Sequence, residues 1–418
     1  MKPFNSIRFS RITRLTLLLA LTTSAFAQPA YEQPFSREPV EALDVRRAQY
    51  LDRIEQMQDW RIGLYAEADF TTMDNSALAM LLMRGEKIEE CNRRVIELME
   101  TPGTGPFWMF PVTMVAYAGR DKLSAEARQS IRDAWRTTRQ LRGDTENHWV
   151  MYHTAMYLMA QLYPDEPGSE WWNGLSSDEN RVEGREWLLD WMNITTTIGQ
   201  GEYNATHYIG EYAIPLIMLK VWSDDAAMRQ RATILLDWMF AELATVTLDG
   251  VLRGPNSRTD DTSVTERWYA LSTYFSWQLF GNVPAGERFR GWGWGNYFSV
   301  LAEYYQVPDV IYRIATDRQQ DILQHDRARS RRIWRYSDEH MRPIFKTQYL
   351  RENYAVGSHQ GGLSDPIQSH VWDVTWNVDD PRGVHNTMFS LHPHSSGRVQ
   401  QMFFCTFPEP HSYRWLRR

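Results

Sequence analysis

The sequence lacks the features that mark several common classes of protein. Only two cysteines, Cys91 and Cys405, occur in 418 residues; they could pair, but a framework of disulfides is excluded. The chain has no nucleotide-binding glycine loop, no Gly-x-Ser-x-Gly nucleophile elbow and no Cys–His nucleophile candidate. After the first 27 residues, no stretch is long and apolar enough to span a bilayer.

The N-terminal 27 residues have the pattern of a secretory signal peptide. Lys2 and three arginines precede a short apolar run from Leu15 to Ala25, and small residues then flank a cleavage site at Ala27. A retained membrane anchor is the alternative, but the apolar run is short for a spanning helix. The pattern therefore predicts a periplasmic or secreted protein with no membrane insertion after cleavage.

Positive charge is also scarce. The formal net charge is −7, and it becomes −11 once the four basic residues of the predicted signal peptide are removed. So acidic a chain has no general attraction for nucleic acid or anionic lipid. An anionic substrate would need locally concentrated positive charge. Aromatic residues, in contrast, are plentiful at 13%, with 18 Trp, which suits either a packed core or a carbohydrate cleft.

Apolar residues recur at helical spacing through most of the chain. The predicted helices cover 39–61, 76–83, 88–99, 107–117, 124–141, 145–162, 178–195, 209–221, 225–244, 261–280, 296–305 and 307–325. Short loops join them, and no fixed repeat period indicates a solenoid. The fold class predicted for 28–340 is therefore mainly α, an (α/α) toroid or incomplete barrel of antiparallel helix hairpins.

The pattern changes after residue 341. Alternating β-branched and aromatic residues predict strands at 344–349, 370–378, 387–391 and 399–407. Either a small β element packs on the toroid or a larger β domain has been lost. The sequence favours a small β-rich C-terminal element over 341–418.

A polar cluster opens one of the predicted helices. Glu146, Asn147 and His148 occupy its first turn, after Asp144 and Thr145, either of which can cap it. Free backbone N–H groups and the helix dipole favour an anion at this place. A neutral Asn147 is therefore suited to bind a carboxylate, although capping and ordinary surface polarity would also explain it.

Two further clusters follow at intervals of about 50 residues. Asn204, His207, Tyr208 and Tyr212 lie within nine positions, and Tyr and His are groups that can take and return a proton; a packed tyrosine-rich helix is the alternative. Arg258 then closes a Gly-Pro turn and offers a planar fork of donors to a carboxylate. A structural salt bridge with a nearby acidic residue would also explain it.

These three clusters resemble the (α/α)-toroid polysaccharide lyases, a group that includes heparinase-like, chondroitin AC-like and compact alginate or glucuronan lyases. The resemblance covers about residues 100–320 and rests on Asn147-His148, Asn204-Ala-Thr-His-Tyr208 and Gly254-Pro-Asn-Ser-Arg258. It implies β-elimination from an anionic, uronic-acid-containing polysaccharide. The larger members carry a β-sandwich for which this chain has no room, so alginate or glucuronan is the expected substrate.

The resemblance implies a role for each matching residue. Asn147 would neutralise the substrate carboxylate, His207 would be the base or a second neutralising group, Tyr208 the base and acid, and Arg258 a carboxylate anchor. The expected substrate-binding residues are Glu146, His148, Asn204, Tyr212, Asn256, Trp294 and His359. Trp294 belongs to an aromatic glycine-rich loop that is either a sugar platform or a packed loop.

Two other functional classes are open at this point. A toroid glycoside hydrolase would need paired carboxylates, for which Glu146, Glu202, Glu211 and Asp260 are candidates. A periplasmic glycan-binding protein could use the same aromatic cleft without chemistry. No metal or other cofactor is expected, because His392-Pro-His394 has no third ligand at a telling spacing.

Overall fold

The computed structural model describes residues 42–66, 70–143, 145–258, 270–283, 294–329, 343–360, 370–376 and 387–391. The predicted signal peptide, the predicted strand at 399–407, Asp260, Cys405 and the His392-Pro-His394 motif lie outside these ranges. Cys91 is a buried free thiol.

Helices make up most of the described chain. They are α1 (Leu43–Ala66), α2 (Asn75–Arg84), α3 (Ile88–Glu100), α4 (Pro106–Ala118), α5 (Ala125–Thr137), α6 (Glu146–Leu162), α7 (Ser177–Ile198), α8 (Ile209–Trp222), α9 (Ala226–Thr245), α10 (Leu271–Phe275, continued as a π-helical turn over Ser276–Phe280), α11 (Gly295–Leu301) and α12 (Asp309–Thr316). No helix in the described ranges is long and apolar enough to cross a membrane.

One set of helices is buried on nearly every side. In α4, α8 and α11 almost all residues are buried, and α2 and α6 are buried over most of their length. These helices are neighbours in space: α2 packs against α4, α4 against α6, α6 against α8, α8 against α11, and α11 against α2. A helix that is apolar all round belongs in the interior, and these five form the main part of the core.

A second set buries a single stripe. In α3 the buried residues are Cys91, Val95 and Met99, four residues apart, so one face of the helix packs and the other is solvated. Helix α3 packs against α5, α7 against α6, and α9 against α8. Ser124 and Asp225 cap α5 and α9 by accepting backbone N–H groups, as their sequence positions predict.

The C-terminal part is a five-stranded antiparallel sheet in sequential order. Its strands are β3 (Ile322–Ala328), β4 (Ile344–Leu350), β5 (Tyr354–Gln360), β6 (His370–Trp376) and β7 (Thr387–Leu391). A short hairpin, β1 (Thr247–Leu248) and β2 (Val251–Leu252), follows α9. The chain is thus mainly helical with a small C-terminal sheet, as predicted.

The structure corrects two predictions of secondary structure. The helix predicted over 307–325 is confirmed only in its first half: α12 ends at Thr316, and Ile322 already begins strand β3, so the sheet starts before the predicted boundary at residue 341. Polar residues occupy both faces of β3, which hides the period of two on which strand prediction depends. Strand β5 was not predicted. The helix predicted over 209–221 is confirmed, since α8 begins at Ile209, and the segment 201–208 before it forms turns.

Candidate active site

A buried carboxylate, Glu202, connects the three polar clusters. Its side chain is 1% exposed, and its Oε2 atom accepts three hydrogen bonds. The donors are the backbone N–H of Asn147 (3.1 Å), the Nδ2 atom of Asn147 (2.6 Å) and the hydroxyl of Tyr212 (2.7 Å). A buried charge needs several such donors to be stable, so Glu202 fixes the geometry of its neighbours.

The start of α6 therefore does bind an anion, but the anion belongs to the protein. The N–H of Asn147 is one of the free donors in the first helical turn, and Glu202 occupies the position that the sequence suggested for a substrate carboxylate. The Oδ1 atom of Asn147 is buried and has no hydrogen-bond partner in the described chain. Asn147 is thus within the site and is held by Glu202.

Glu146 has both carboxylate oxygens engaged in structural contacts. Its Oε1 atom accepts from Trp191 Nε1 at 2.9 Å and from the guanidinium of Arg329, and its Oε2 atom accepts from the backbone N–H of Glu202 at 2.8 Å. It is also 2% exposed. This carboxylate therefore links α6 with α7, with the turn that carries Glu202 and with Arg329.

Arg258 joins Glu202 to Tyr208. Its Nε atom lies 3.3 Å from Glu202 Oε1, and its Nη2 atom donates to the Tyr208 hydroxyl at 2.7 Å. Its backbone has a φ of +54°, an unfavourable region for a residue with a side chain, which the surrounding structure must maintain. The structure thus brings together Asn147, Tyr208, Tyr212 and Arg258, four of the residues singled out in the sequence.

Neighbouring contacts hold the turn that carries Arg258. Asn204, itself at a φ of +48°, donates from Nδ2 to the carbonyl of Pro255 at 3.2 Å. The backbone N–H and the hydroxyl of Ser257 both donate to the carbonyl of Tyr203 at 3.0 Å. The two loops are therefore bound to each other, and Asn256 of the second loop is buried.

Tyr208 and His148 are the half-buried titratable groups of the site. Burial raises the pKa of Tyr208, although the adjacent Arg258 opposes that rise. Burial lowers the pKa of His148, the Glu202 charge opposes this, and Arg258 adds to it. At neutral pH the site thus holds a protonated phenol and a neutral imidazole, one able to give a proton and the other to accept one.

Glu211 is a second buried carboxyl near Glu202. Burial raises its pKa well above the usual range, and the charge of Glu202 raises it further. Its Oε2 atom is buried and has no hydrogen-bond partner among the described residues. Glu202 and Glu211 therefore have different environments: Glu202 Oε2 accepts three hydrogen bonds, whereas Glu211 Oε2 has no partner among the described residues.

A small pocket lies beside Glu202. Its polar lining is Gln200, Glu202, Asn204, Tyr212 and Glu242, and its apolar lining comes from α8, α9 and β2. The pocket extends from the candidate site toward Glu242, which contacts the C-terminal sheet. No group of three or more metal-ligating side chains occurs in the described ranges.

Trp294, His359 and His207 are the other predicted site residues that the structure describes. Trp294 packs against Phe107, Phe110 and Tyr297 with ring centroids 5.2–5.9 Å apart, which is the packed-loop alternative. His359 is buried on strand β5 with its ring edge toward Tyr203. His207 is exposed on the turn before α8.

Two charged residues of the site are only weakly indicated by the sequence. Glu202 appeared only as a possible hydrolase acid, and Arg329 was not singled out at all. A glutamate next to Gly201, immediately before the Asn-His-Tyr cluster, was the one local signal for Glu202. Arg329 has no local signal, because its partner Glu146 is 183 residues away in sequence.

Comparison of the chain with protein-family models, with curated proteins and with solved structures gives no match. The functional conclusion therefore comes from the residues and their geometry.

Proposed function

We propose that this protein is a polysaccharide lyase that cleaves a uronic-acid-containing polymer, alginate or glucuronan, by β-elimination. The observation that carries the proposal is the contact of Arg258 with both the Tyr208 hydroxyl and the buried Glu202, whose charges also act on His148. The site thus combines a cation, a proton donor and a proton acceptor around a buried carboxylate.

The reaction requires these three functions. The proton on C5 of a uronate is only weakly acidic until the charge of the adjacent carboxylate is neutralised, and the enolate-like intermediate must then be stabilised. A guanidinium has five N–H donors, more than the contacts of Arg258 with Glu202 and Tyr208 use. Arg258 can therefore bind the substrate carboxylate while Glu202 keeps it in place.

Proton transfer is assigned to the two half-buried groups. His148 accepts the C5 proton as a neutral imidazole, and Tyr208 donates its phenol proton to the departing glycosidic oxygen. The directions of their pKa shifts leave each group in the required form at neutral pH. His207, being exposed, is the alternative base, and Asn147 serves by orienting Glu202 and with it Arg258.

The packing order of the buried helices supports an (α/α) toroid. The contacts α2–α4–α6–α8–α11–α2 return to their starting helix, with α3, α5, α7 and α9 outside them. A ring of inner helices places loops at its ends, where the Glu202 and Arg258 turns lie. The predicted signal peptide supports a periplasmic or secreted location, where such polymers are met.

The test is the ultraviolet absorbance of the unsaturated uronide product, measured with alginate, glucuronan and glycosaminoglycans. We expect absorbance to rise with one polymer and turnover to fall about 100-fold to 10,000-fold in Tyr208→Phe, because a positioned proton donor is lost. Tyr304→Phe, at a tyrosine that is 47% exposed, is the matched control and should keep full activity.

Glycoside hydrolysis is the second candidate, favoured by the raised pKa of Glu211, a possible general acid, near the buried carboxylate of Glu202. In that case new reducing ends would appear without a rise in absorbance, and Glu211→Gln would abolish them. Polymer binding with neither product would indicate a glycan-binding protein and contradict both enzymatic proposals.

A further inference from the structure

Arg329 carries a contact from the C-terminal sheet into the helical part of the molecule. It lies just after β3, is 1% exposed, and places its guanidinium on Glu146 Oε1. Its backbone N–H also donates to the carbonyl of Gln200 at 3.3 Å. The same residue thus holds the first residue of α6 and the segment that leads into Glu202.

The contact continues through Glu146. Its Oε1 atom accepts from Trp191 and its Oε2 atom from the backbone N–H of Glu202. A carboxylate with both oxygens bound has little freedom to rotate, so the position of Arg329 fixes that of Glu146 and of the Glu202 backbone. From Glu202 the polar chain reaches Arg258 and the Tyr208 hydroxyl.

Negative and positive charges are balanced along this series of side-chain contacts. The carboxylates of Glu146 and Glu202 face the guanidiniums of Arg329 and Arg258, while burial and the charge of Glu202 keep Glu211 in its neutral form. Tyr212 and Asn147 add uncharged donors to Glu202. Without Arg329, two buried carboxylates would share one guanidinium, and a buried charge without compensation forces a rearrangement or the uptake of a proton.

We infer that Arg329 is a positioning residue of the candidate active site: through Glu146 and Glu202 it orients Arg258 against Tyr208. This inference rests on the proposed function in naming the reaction that the orientation serves. It also assigns a purpose to the sheet, which reaches the site through this arginine although the half-buried proton-transfer groups all lie on the helical part.

The experiment compares two arginines of the same segment. Arg329→Gln removes the buried contact. Arg327→Gln is the matched control, because Arg327 is exposed and donates from Nη2 to the backbone carbonyl of Thr197 at 2.7 Å. Arg329→Lys keeps the charge but loses the planar fork of donors.

Two quantities are measured in each variant. The first is kcat and KM on the polymer that the wild-type protein cleaves. The second is the NMR signal of the Arg258 Nε–H group, assigned by its loss in Arg258→Lys, which reports the orientation of Arg258 without any turnover. Folding is checked for every variant by circular dichroism.

We expect Arg329→Gln to lower kcat about tenfold to a hundredfold, because small misplacements of catalytic groups are costly, and to leave KM within about twofold. The Arg258 signal should shift in Arg329→Gln, shift less in Arg329→Lys and stay in place in Arg327→Gln. If Arg329→Gln does not fold, the Arg258 signal in Arg329→Lys decides, since that variant keeps the buried charge.

The inference is overturned if a folded Arg329→Gln variant keeps the wild-type Arg258 signal and kcat, or if Arg327→Gln reproduces its losses. Failure of the proposed function is a separate result. In that case wild-type protein cleaves no polymer, while the Arg258 signal still shows whether Arg329 orients that residue.

Discussion

The two faces of the C-terminal sheet differ in an unexpected way, because charged and polar side chains are concentrated at the centre of the buried face. Toward the helices the sheet presents Lys346, Gln348, His359 and Asp373, each at most 8% exposed. Lys346 pairs with Glu242 of α9, and Asp373 accepts the backbone N–H of Gly254 at 2.8 Å. The buried face thus combines charges and hydrogen bonds at its centre with apolar contacts of Ile322, Leu350 and Ala355 at its edge.

The opposite face exposes an apolar row. One register row crosses all five strands, from Leu323 through Tyr349, Val356 and Val374 to Met388. Leu323 and Met388 are 57% and 52% exposed, and the other three are exposed or half-buried. An antiparallel sheet with one solvated face normally has the reverse pattern, with the apolar side toward the core.

The difference shows how the sheet is attached. Apolar burial is non-directional and tolerates sliding, whereas a salt bridge or a hydrogen bond to a backbone N–H specifies one position. Three sheet residues reach three segments that carry the candidate site: Arg329 reaches Glu146, Lys346 reaches Glu242 beside the pocket, and Asp373 reaches Gly254. Polar docking therefore places the sheet relative to the site.

The largest effect expected from this comparison comes from Lys346→Met, which removes the charge and keeps much of the volume. Glu242 would be left buried without its cation, so the free energy of unfolding should fall by about 3–5 kcal/mol. Urea unfolding measures it. Lys122→Met, at an exposed lysine, is the control, and Lys346→Met combined with Glu242→Gln should recover part of the loss. Equal losses of stability in Lys346→Met and Lys122→Met would contradict the role of polar contacts in docking the sheet.

Gly357→Ala should have the next largest effect. A Cβ atom at Gly357 would lie 1.9 Å from the carbonyl oxygen of Gly254 and 2.1 Å from Gln348 Oε1. Since a backbone atom cannot move aside cheaply, we expect a loss of about 3 kcal/mol together with displacement of the Arg258 turn. Gly63→Ala, in α1 with nothing within 4 Å, is the control and should stabilise slightly. A stable, fully active Gly357→Ala would refute the close contact.

The pH dependence of stability offers a third test, at His359. Burial, with a contribution from Lys346, lowers its pKa from 6.5 to about 4. The unfolded chain therefore binds a proton more readily below pH 6.5, and the stability present above pH 6.5 is lost as the pH falls toward 4. Between pH 6.5 and 5 we expect a loss of about 1–2 kcal/mol.

His359→Gln should reduce that loss, and His325→Gln, on the exposed face, should not. Urea unfolding at both pH values measures the difference. An unchanged pH profile in His359→Gln would mean that the imidazole is accessible to solvent, and the buried face would then be less tightly docked than the structure indicates.

The same two faces explain what could be predicted from the sequence. Helical stripes such as Cys91, Val95 and Met99 follow apolar periodicity, and the helices of the first 245 residues were predicted closely for that reason. Strands β3 and β5 were not predicted, because the buried positions of the sheet include charged and polar residues and the exposed ones include apolar residues. Periodicity in hydrophobicity cannot identify such strands.

The sequence indicates several residues of the candidate site, but it does not indicate the hydrogen bonds and ion pairs that join them. Residue type and spacing singled out Asn147, Tyr208, Tyr212 and Arg258, which do converge. Their common anchor on Glu202 depends on tertiary contacts between residues about 50 positions apart. The assignment of those residues to chemical roles stays a prediction until the polymer assays are done.

The smallest expected effect is that of Met388→Thr on the exposed face. The side chain is 52% exposed, and threonine suits a strand, so the free energy of unfolding should change by no more than about 0.5 kcal/mol. Phe389→Thr, one position along and 5% exposed, is the paired comparison and should cost about 3 kcal/mol or more by opening a cavity.

Unfolding is followed in urea, and light scattering follows association. If Met388→Thr were as destabilising as Phe389→Thr, the apolar row would have to be covered in solution, and the contrast between the two faces would no longer hold. If Met388→Thr instead lost little stability and associated less than the wild-type protein, the apolar row would be an uncovered surface. Weak contacts between copies of the chain would then form on it.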